Sequence, residues 1–129
     1  MLDTDISSYS IKGSRRSIDR RLDNLDMMQV CISAITRSEL IFGVKRLPRA
    51  TKLAVDVEVF LNGVQTLAWD ETAADECAVV RAQLARAGTP IGTLDTMIAA
   101  HARSIGAILV TNNVKHFRMV KGLTIENWL

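Results

Sequence analysis

Aromatic residues are scarce in this chain of 129 residues: two tryptophans, one tyrosine and three phenylalanines, 5% of the whole. Any core must therefore be mostly aliphatic. Proline is rarer still. Pro48 and Pro90 stand alone, both between periodic segments, and no linker, repeat or low-complexity tract divides the chain. The two cysteines, Cys31 and Cys77, are too few for a disulfide framework and lack metal-ligand spacing. Buried free thiols in a reducing cytoplasm are the simplest expectation. No positive, apolar, small-residue signal segment opens the sequence, and no apolar run is long enough to span a bilayer. The expectation is a cytoplasmic protein with no membrane contact. The glycines at 88, 92 and 106 do not have phosphate-loop spacing, and no Ser/His/Asp order or convincing nucleophile is present.

What is present suits one folded domain over residues 1–129: 48% hydrophobic and 23% charged residues. The net charge of +2 is too small to demonstrate nucleic-acid binding by itself. Basic residues gather in KGSRRSIDRR, from Lys12 to Arg21. Taken alone, that run reads as a solvated helix face.

Short apolar runs alternate with longer helical patterns. Met1-Leu2 is a clipped first strand, and Ile6 to about Leu25 reads as one or two helices broken near Gly13. VCIS, VQTLAW, AILVT and LTIENW are strand candidates. Helices are expected over Ile35 to Val44, Ala50 to Asn62, Glu71 to Ala87 and Leu94 to Ile105. Such alternation argues for an α/β protein with a mostly parallel sheet. Sites in such sheets form beyond the carboxyl ends of the strands.

That rule directs attention to acids near strand ends. Asp3 follows the first apolar step, Glu39 lies on the helix after VCIS, Asp95 opens the helix before AILV, and Asn112 and Asn113 follow AILVT. Carboxylates held close repel each other unless a cation sits between them, and a hard divalent cation such as Mg²⁺ prefers oxygen ligands. It can polarise a phosphoryl oxygen and generate hydroxide at neutral pH, which is phosphodiester-hydrolysis chemistry. Each acid also has a plain structural reading. Asp5 caps the helix starting near Ile6. Thr36-Arg37-Ser38-Glu39 fits a capping box, unless the helix starts at Ser33 and places Glu39 inside it. Asp95 suits a helix dipole. His101 falls on the apolar side of its helix and reads as a packed core histidine; Trp69 and Trp128 read as packing residues.

MLDTDISSY, CISAITRSELIFGV, GTPIGTLDTMIAAHARSIGAILVTNNVKHF and GLTIENW together resemble the PIN-domain ribonucleases, specifically the VapC toxins of bacterial VapBC toxin–antitoxin pairs. The resemblance spans nearly the whole chain. It implies a Rossmann-like PIN fold, a mostly parallel sheet flanked by helices on both faces. It implies an endoribonuclease dependent on Mg²⁺ or Mn²⁺, acting on RNA, with transfer RNA as a candidate substrate. By the resemblance, Asp3 and Asp95 hold the metal and Glu39 supports the metal or its water. Asp5, Thr111 and Asn113 fall in supporting positions. A VapB antitoxin partner, a homodimer and a larger toxin–antitoxin assembly are implied as well.

Two departures matter. Many relatives carry a fourth acid where this chain has Asn113 or His116, which puts a second metal in doubt. The first strand is also nearly absent: either it is short or the biological start lies upstream. Basic residues must offset the acids to admit RNA, and Arg15, Arg16, Arg20, Arg21 and Arg37 are the candidates. The alternative is a PIN-like module that binds nucleic acid or a partner with weak or no nuclease activity. A nuclease directed at DNA is a related possibility. A receiver-type signalling domain fits poorly, because Asp70 follows VQTLAW as an awkward acceptor and no lysine lies in TNN.

Overall fold

The computed structural model describes residues 1–129. Its elements run α1 (Thr4–Ile11), α2 (Arg16–Asp23), a 3-10 turn (Met27–Gln29), β1 (Cys31–Ser33), α3 (Ala34–Lys45), α4 (Thr51–Gly63), β2 (Gln65–Leu67), α5 (Glu71–Ala87), α6 (Thr93–Ser104), β3 (Leu109–Val110), α7 (Val114–Phe117) and β4 (Ile125–Glu126). No helix is long and apolar enough to cross a membrane.

The strands are short, and Leu2 joins them. β1 pairs with β2 and β3 with β4, both parallel. Leu2 bridges in parallel to Ile32 on one side and Val110 on the other. The order is therefore β2-β1-Leu2-β3-β4, with the first residues of the chain at the centre. The Leu2 amide donates to the Cys31 carbonyl at 2.9 Å, and the Asp3 amide to the Val110 carbonyl at 3.0 Å. The Val110 amide returns a bond to the Met1 carbonyl at 2.8 Å. This is the clipped strand, held from both sides.

Alternation along the strands separates two cores. Met1, Cys31 and Leu109 face α5, α6 and α7, packing with Val80, Leu84, Ile98 and Phe117. Leu2, Ile32 and Val110 face α1 to α4, packing with Ile6, Ile18, Leu40, Val57 and Leu61. Helices thus cover both faces, the arrangement expected of a mostly parallel sheet.

Local chemistry explains the helix ends. Asp70 caps α5 by accepting from the Ala73 amide at 3.0 Å. Gly88, with φ 65°, ends that helix in the left-handed conformation. Its buried residues, Ala73, Cys77, Val80 and Leu84, lie on one helical stripe against α6. α6 is the most enclosed helix, with Ala99, Ala100 and Ala102 wholly buried. His101 is buried in it, with Nδ1 2.8 Å from the Ser33 hydroxyl, a packed histidine whose basicity is lowered by burial. Both cysteines are buried free thiols. α2 buries only Ile18, so most of the basic run is solvated.

Candidate active site

Asp3 carries the chain from the centre of the sheet directly into α1. Its backbone is extended, with ψ 178°, and its Oδ1 accepts from the Ile6 amide at 2.8 Å. Asp3 is therefore the cap of α1, not Asp5, and the helix begins at Thr4. The correction follows from the length of the first strand. With Leu2 the last paired residue before Asp3, no turn separates strand from helix, and Asp5 falls in the exposed first turn. Ser7 reinforces the junction by donating its hydroxyl to the Asp3 carbonyl at 2.7 Å.

Asp3 is only 4% exposed. Burial pushes its carboxyl up to about 6 from 3.8, opposed by the Thr111 hydroxyl and the Ile6 amide, while the charges of Asp5 and Asp95 push it further up. Thr111 ends the β3 side of the site, and its hydroxyl also accepts from the Asn113 amide at 2.9 Å.

Asp95 sits in the first turn of α6, where the positive helix end favours a carboxylate. Its carboxyl is nonetheless raised, by burial first and by Asp5 as well, with His116 opposing. His116 Nδ1 is 4.0 Å from Asp95 Oδ2 and 2.9 Å from Asn113 Nδ2. Asn113 and His116 thus meet each other beside Asp95, at the flank where a fourth acid was sought. They supply a carbonyl oxygen and an imidazole there.

Glu39 lies within α3, because Ser33 caps that helix by accepting from the Ile35 amide at 3.1 Å. The capping-box reading is thereby excluded. Glu39 Oε2 accepts the Thr4 hydroxyl, joining α3 to the residue directly after Asp3. Thr4 carried no sequence signal of this role, since 35 positions separate the pair.

The basic candidates are dispersed. Arg37 reaches the Thr66 hydroxyl of β2 at 3.5 Å. The Arg15 guanidinium lies 5.2 Å from the centre of the Tyr9 ring, and Arg16 and Arg20 are exposed on α2. Arg21 lies over Trp128 and lines a cavity beside Met1, Val30 and Ile108, where the strands begin. Two cations passed over in the sequence stand differently. Lys12 and Arg46 line a groove between α1, α3 and α4 that includes Thr4 and Glu39.

The acids are not gathered into a finished cage: no group of three or more His, Cys, Asp and Glu side chains forms a metal-ligating cluster. The charges of Asp5 and Asp95 bear on Asp3, and that of Asp5 on Asp95, whereas Glu39 is engaged by Thr4. The ion pairs of the protein are Lys52–Asp56, Arg103–Glu76 and His116–Asp95, so no lysine or arginine neutralises Asp3, Asp5 or Asp95. Carboxylate oxygens from buried Asp3 and half-buried Asp95, with no lysine or arginine among them, fit a hard divalent cation. Mg²⁺ sites use one or two carboxylates and take their other ligands from water and phosphate.

Comparison with known proteins agrees with this geometry. The PIN domain model matches residues 1–123. The tRNA(fMet)-specific endonuclease VapC of Salmonella typhimurium is 44% identical over 129 residues, covering 99% of this chain and 96% of that protein. The enzyme of the same name from Shigella flexneri is 41% identical over 128 residues, with the same coverage. Among solved structures, DNA-bound VapBC from Salmonella typhimurium contains a chain 43% identical with TM-score 0.92, covering 100% of this chain and 97% of that one. VapBC2 from Rickettsia felis, bound to a fragment of its promoter, matches at TM-score 0.91 and 29% identity, covering 100% and 98%. The chain belongs to the PIN-domain family and, within it, to the VapC proteins.

Proposed function

We propose that this protein is a divalent-cation-dependent endoribonuclease, the toxin of a VapBC-type pair. The observation that carries the reading is Asp3: a carboxylate at the carboxyl end of the central strand whose proton affinity is raised by burial first and then by Asp5 and Asp95, with no lysine or arginine beside it. Carboxylates perturbed by burial and by like charges cluster at functional sites. The names of the VapC relatives supply the substrate class, RNA, with transfer RNA the first to try.

In this reading Asp3 and Asp95 hold the cation, Mg²⁺ or Mn²⁺. When bound, it supplies charge to a phosphate oxygen and acidifies water. Asp3 is fixed because Oδ1 is spent on the Ile6 amide, which leaves Oδ2 for the site. Thr111 steadies the same carboxylate, and Asp5 adds charge from the rim. Glu39, oriented by Thr4, takes the proton of the attacking water. The water oxygen bonds to phosphorus as the bond from phosphorus to the 3′ oxygen breaks, leaving a 5′-phosphate and a 3′ oxygen that takes its proton from solvent. His116 and Asn113 flank Asp95 and contact the phosphate. Lys12 and Arg46, at the far end of the Glu39 groove, attract the backbone of the flanking RNA more directly than the arginines of α2. The inhibitory partner is a VapB-type antitoxin, as in the VapBC complexes that share this fold, and both act in the cytoplasm.

A second reading, a binding module with little cleavage, is favoured by the uncharged Asn113 and by the lack of a ready three-ligand cluster. Incubating the purified protein with tRNA, other structured RNA and DNA, in Mg²⁺ or EDTA, separates the two. The nuclease reading requires RNA cleavage that EDTA stops and Asp3→Asn lacks. RNA that is bound but uncut at every Mg²⁺ and Mn²⁺ concentration supports the module.

A further inference from the structure

Every buried side-chain nitrogen and oxygen in the protein has a hydrogen-bond partner except one, the Thr36 hydroxyl. Thr36 is fully buried. Buried polar atoms are nearly always paired, and an exception points to a water or ion that completes it. The usual local remedy for a helical threonine is a bond to the carbonyl four residues back, here that of Ile32. The Thr36 hydroxyl does not make it. Ser33, one turn earlier, is already committed to the Ile35 amide and His101.

The position of Thr36 shows what it serves. Glu39, Leu40, Gly43 and Val44 are the α3 residues that line the groove facing Thr4 and Ser8 of α1. They lie three, four, seven and eight positions after Thr36, which is the repeat of one helix face. Thr36 is therefore the inner end of that face, one turn before Glu39, where α3 leaves β1. Thr4, which holds Glu39, directly follows Asp3. The unpaired hydroxyl thus lies one turn before Glu39 on the same helix face, and Glu39 is joined to the residue directly after Asp3.

We propose that Thr36 is a positioning residue of the site. Its hydroxyl holds a water molecule shared with Glu39, and that water belongs to the hydration shell of the divalent cation held by Asp3 and Asp95. This rests on the metal-dependent reading above. A hydroxyl both donates and accepts, so it can fix the orientation of such a water where an aliphatic side chain cannot.

The test compares wild type, Thr36→Val, which keeps the shape and removes the hydroxyl, and Thr36→Ser, which keeps the hydroxyl. Mn²⁺ affinity is measured without RNA by titration, melting is followed without cation, and kcat and KM are measured with RNA. The expected result is Mn²⁺ binding about 10- to 100-fold weaker in Thr36→Val, the usual size of such outer-shell effects. kcat falls more than KM, the cation-free melting temperature is unchanged or higher, and Thr36→Ser restores affinity and kcat. Should Thr36→Val not fold, Thr36→Ala gives the same reading. Wild-type Mn²⁺ affinity in the valine or alanine variant overturns the assignment, as does a loss that serine fails to restore. If wild type itself binds no Mn²⁺, the metal reading falls, and Thr36 loses its role with it.

Discussion

Where the strands begin, Met1, Leu25, Val30, Ile108 and Trp128 surround a cavity of about 530 Å³. Its terminal ammonium and its indole N–H both have partners. The terminal ammonium donates to the Ile108 carbonyl at 2.7 Å, Trp128 donates its indole N–H to Glu126 at 2.8 Å, and Arg21 lies over the Trp128 ring. Where the strands end, Asp3 and Asp95 both have raised proton affinity, from burial first and from neighbouring carboxylates next, without a lysine or arginine among them. The same short strands serve both regions, so the difference comes from the residues that flank them. One end is arranged for stability. The other carries unbalanced charge, as expected of a place kept for a ligand and held by the stability of the rest.

The contrast can be broken at its strongest point first. Asp95→Asn, or Asp3→Asn, is expected to lower RNA cleavage by on the order of 10³-fold or more, because each removes charge needed only when cation and phosphate are present. Single-turnover cleavage with matched circular dichroism spectra checks this. Glu39→Gln should lower kcat with less effect on Mn²⁺ affinity, as a group that handles a proton rather than the cation.

Leu2→Ala comes next. Leu2 is 1% exposed and bridges both halves of the sheet. Its truncation should cost about 2–5 kcal/mol in denaturant unfolding. Asp3 would lose its position as well, so stability and activity should fall together. Trp128→Ala, at the other end, should lower stability while leaving cleavage per folded molecule unchanged.

Stability against pH sharpens the comparison further. The Asp3 carboxyl stands at about 6 in the folded protein against 3.8 when unperturbed. The folded state thus holds the proton more tightly than the unfolded one. Without cation, this group's stabilising contribution is complete below about pH 3.8 and is lost as pH rises through about 6. The shift corresponds to about 3 kcal/mol. Asp3→Asn, with asparagine an equally good cap, should therefore be the more stable protein at pH 8 in EDTA, and Mg²⁺ should stabilise only the wild type. Melting curves at pH 4 and pH 8 test both halves.

The smallest effect separates the basic residues. Lys12→Ala and Arg46→Ala should weaken RNA binding several-fold and flatten its salt dependence. Arg21→Ala, whose guanidinium lies among the residues at the start of the strands, should leave RNA binding and its salt dependence unchanged.

Much of this was legible in the sequence where local chemistry decides. Asp70, Gly88 and Pro90 bracket α5, and its bounds are those expected, Glu71–Ala87. The alternation of apolar runs with helical patterns led to the parallel sheet, and the resemblance to the PIN-domain ribonucleases implied its two helical layers. The 3-10 turn at Met27–Gln29 and the four-residue α7 were not foreseen, since neither is long enough to show a period. Asp3, not Asp5, caps α1, because a two-residue strand leaves no pattern from which to count. The Thr4–Glu39 bond and the approach of His116 to Asp95 depend on how α1, α3, α6 and α7 pack, which no local signal encodes. The solitary Thr36 hydroxyl is of the same kind: a threonine in a helix is ordinary until its surroundings are known.

The most direct test of the central claim is a titration of the purified wild type and Asp3→Asn with Mn²⁺, followed by RNA cleavage in the same samples. Wild type should bind the cation and cleave, with EDTA abolishing both, while Asp3→Asn remains folded and does neither. RNA cleavage at the wild-type rate by folded Asp3→Asn, or wild-type cleavage that persists in EDTA, would contradict the account.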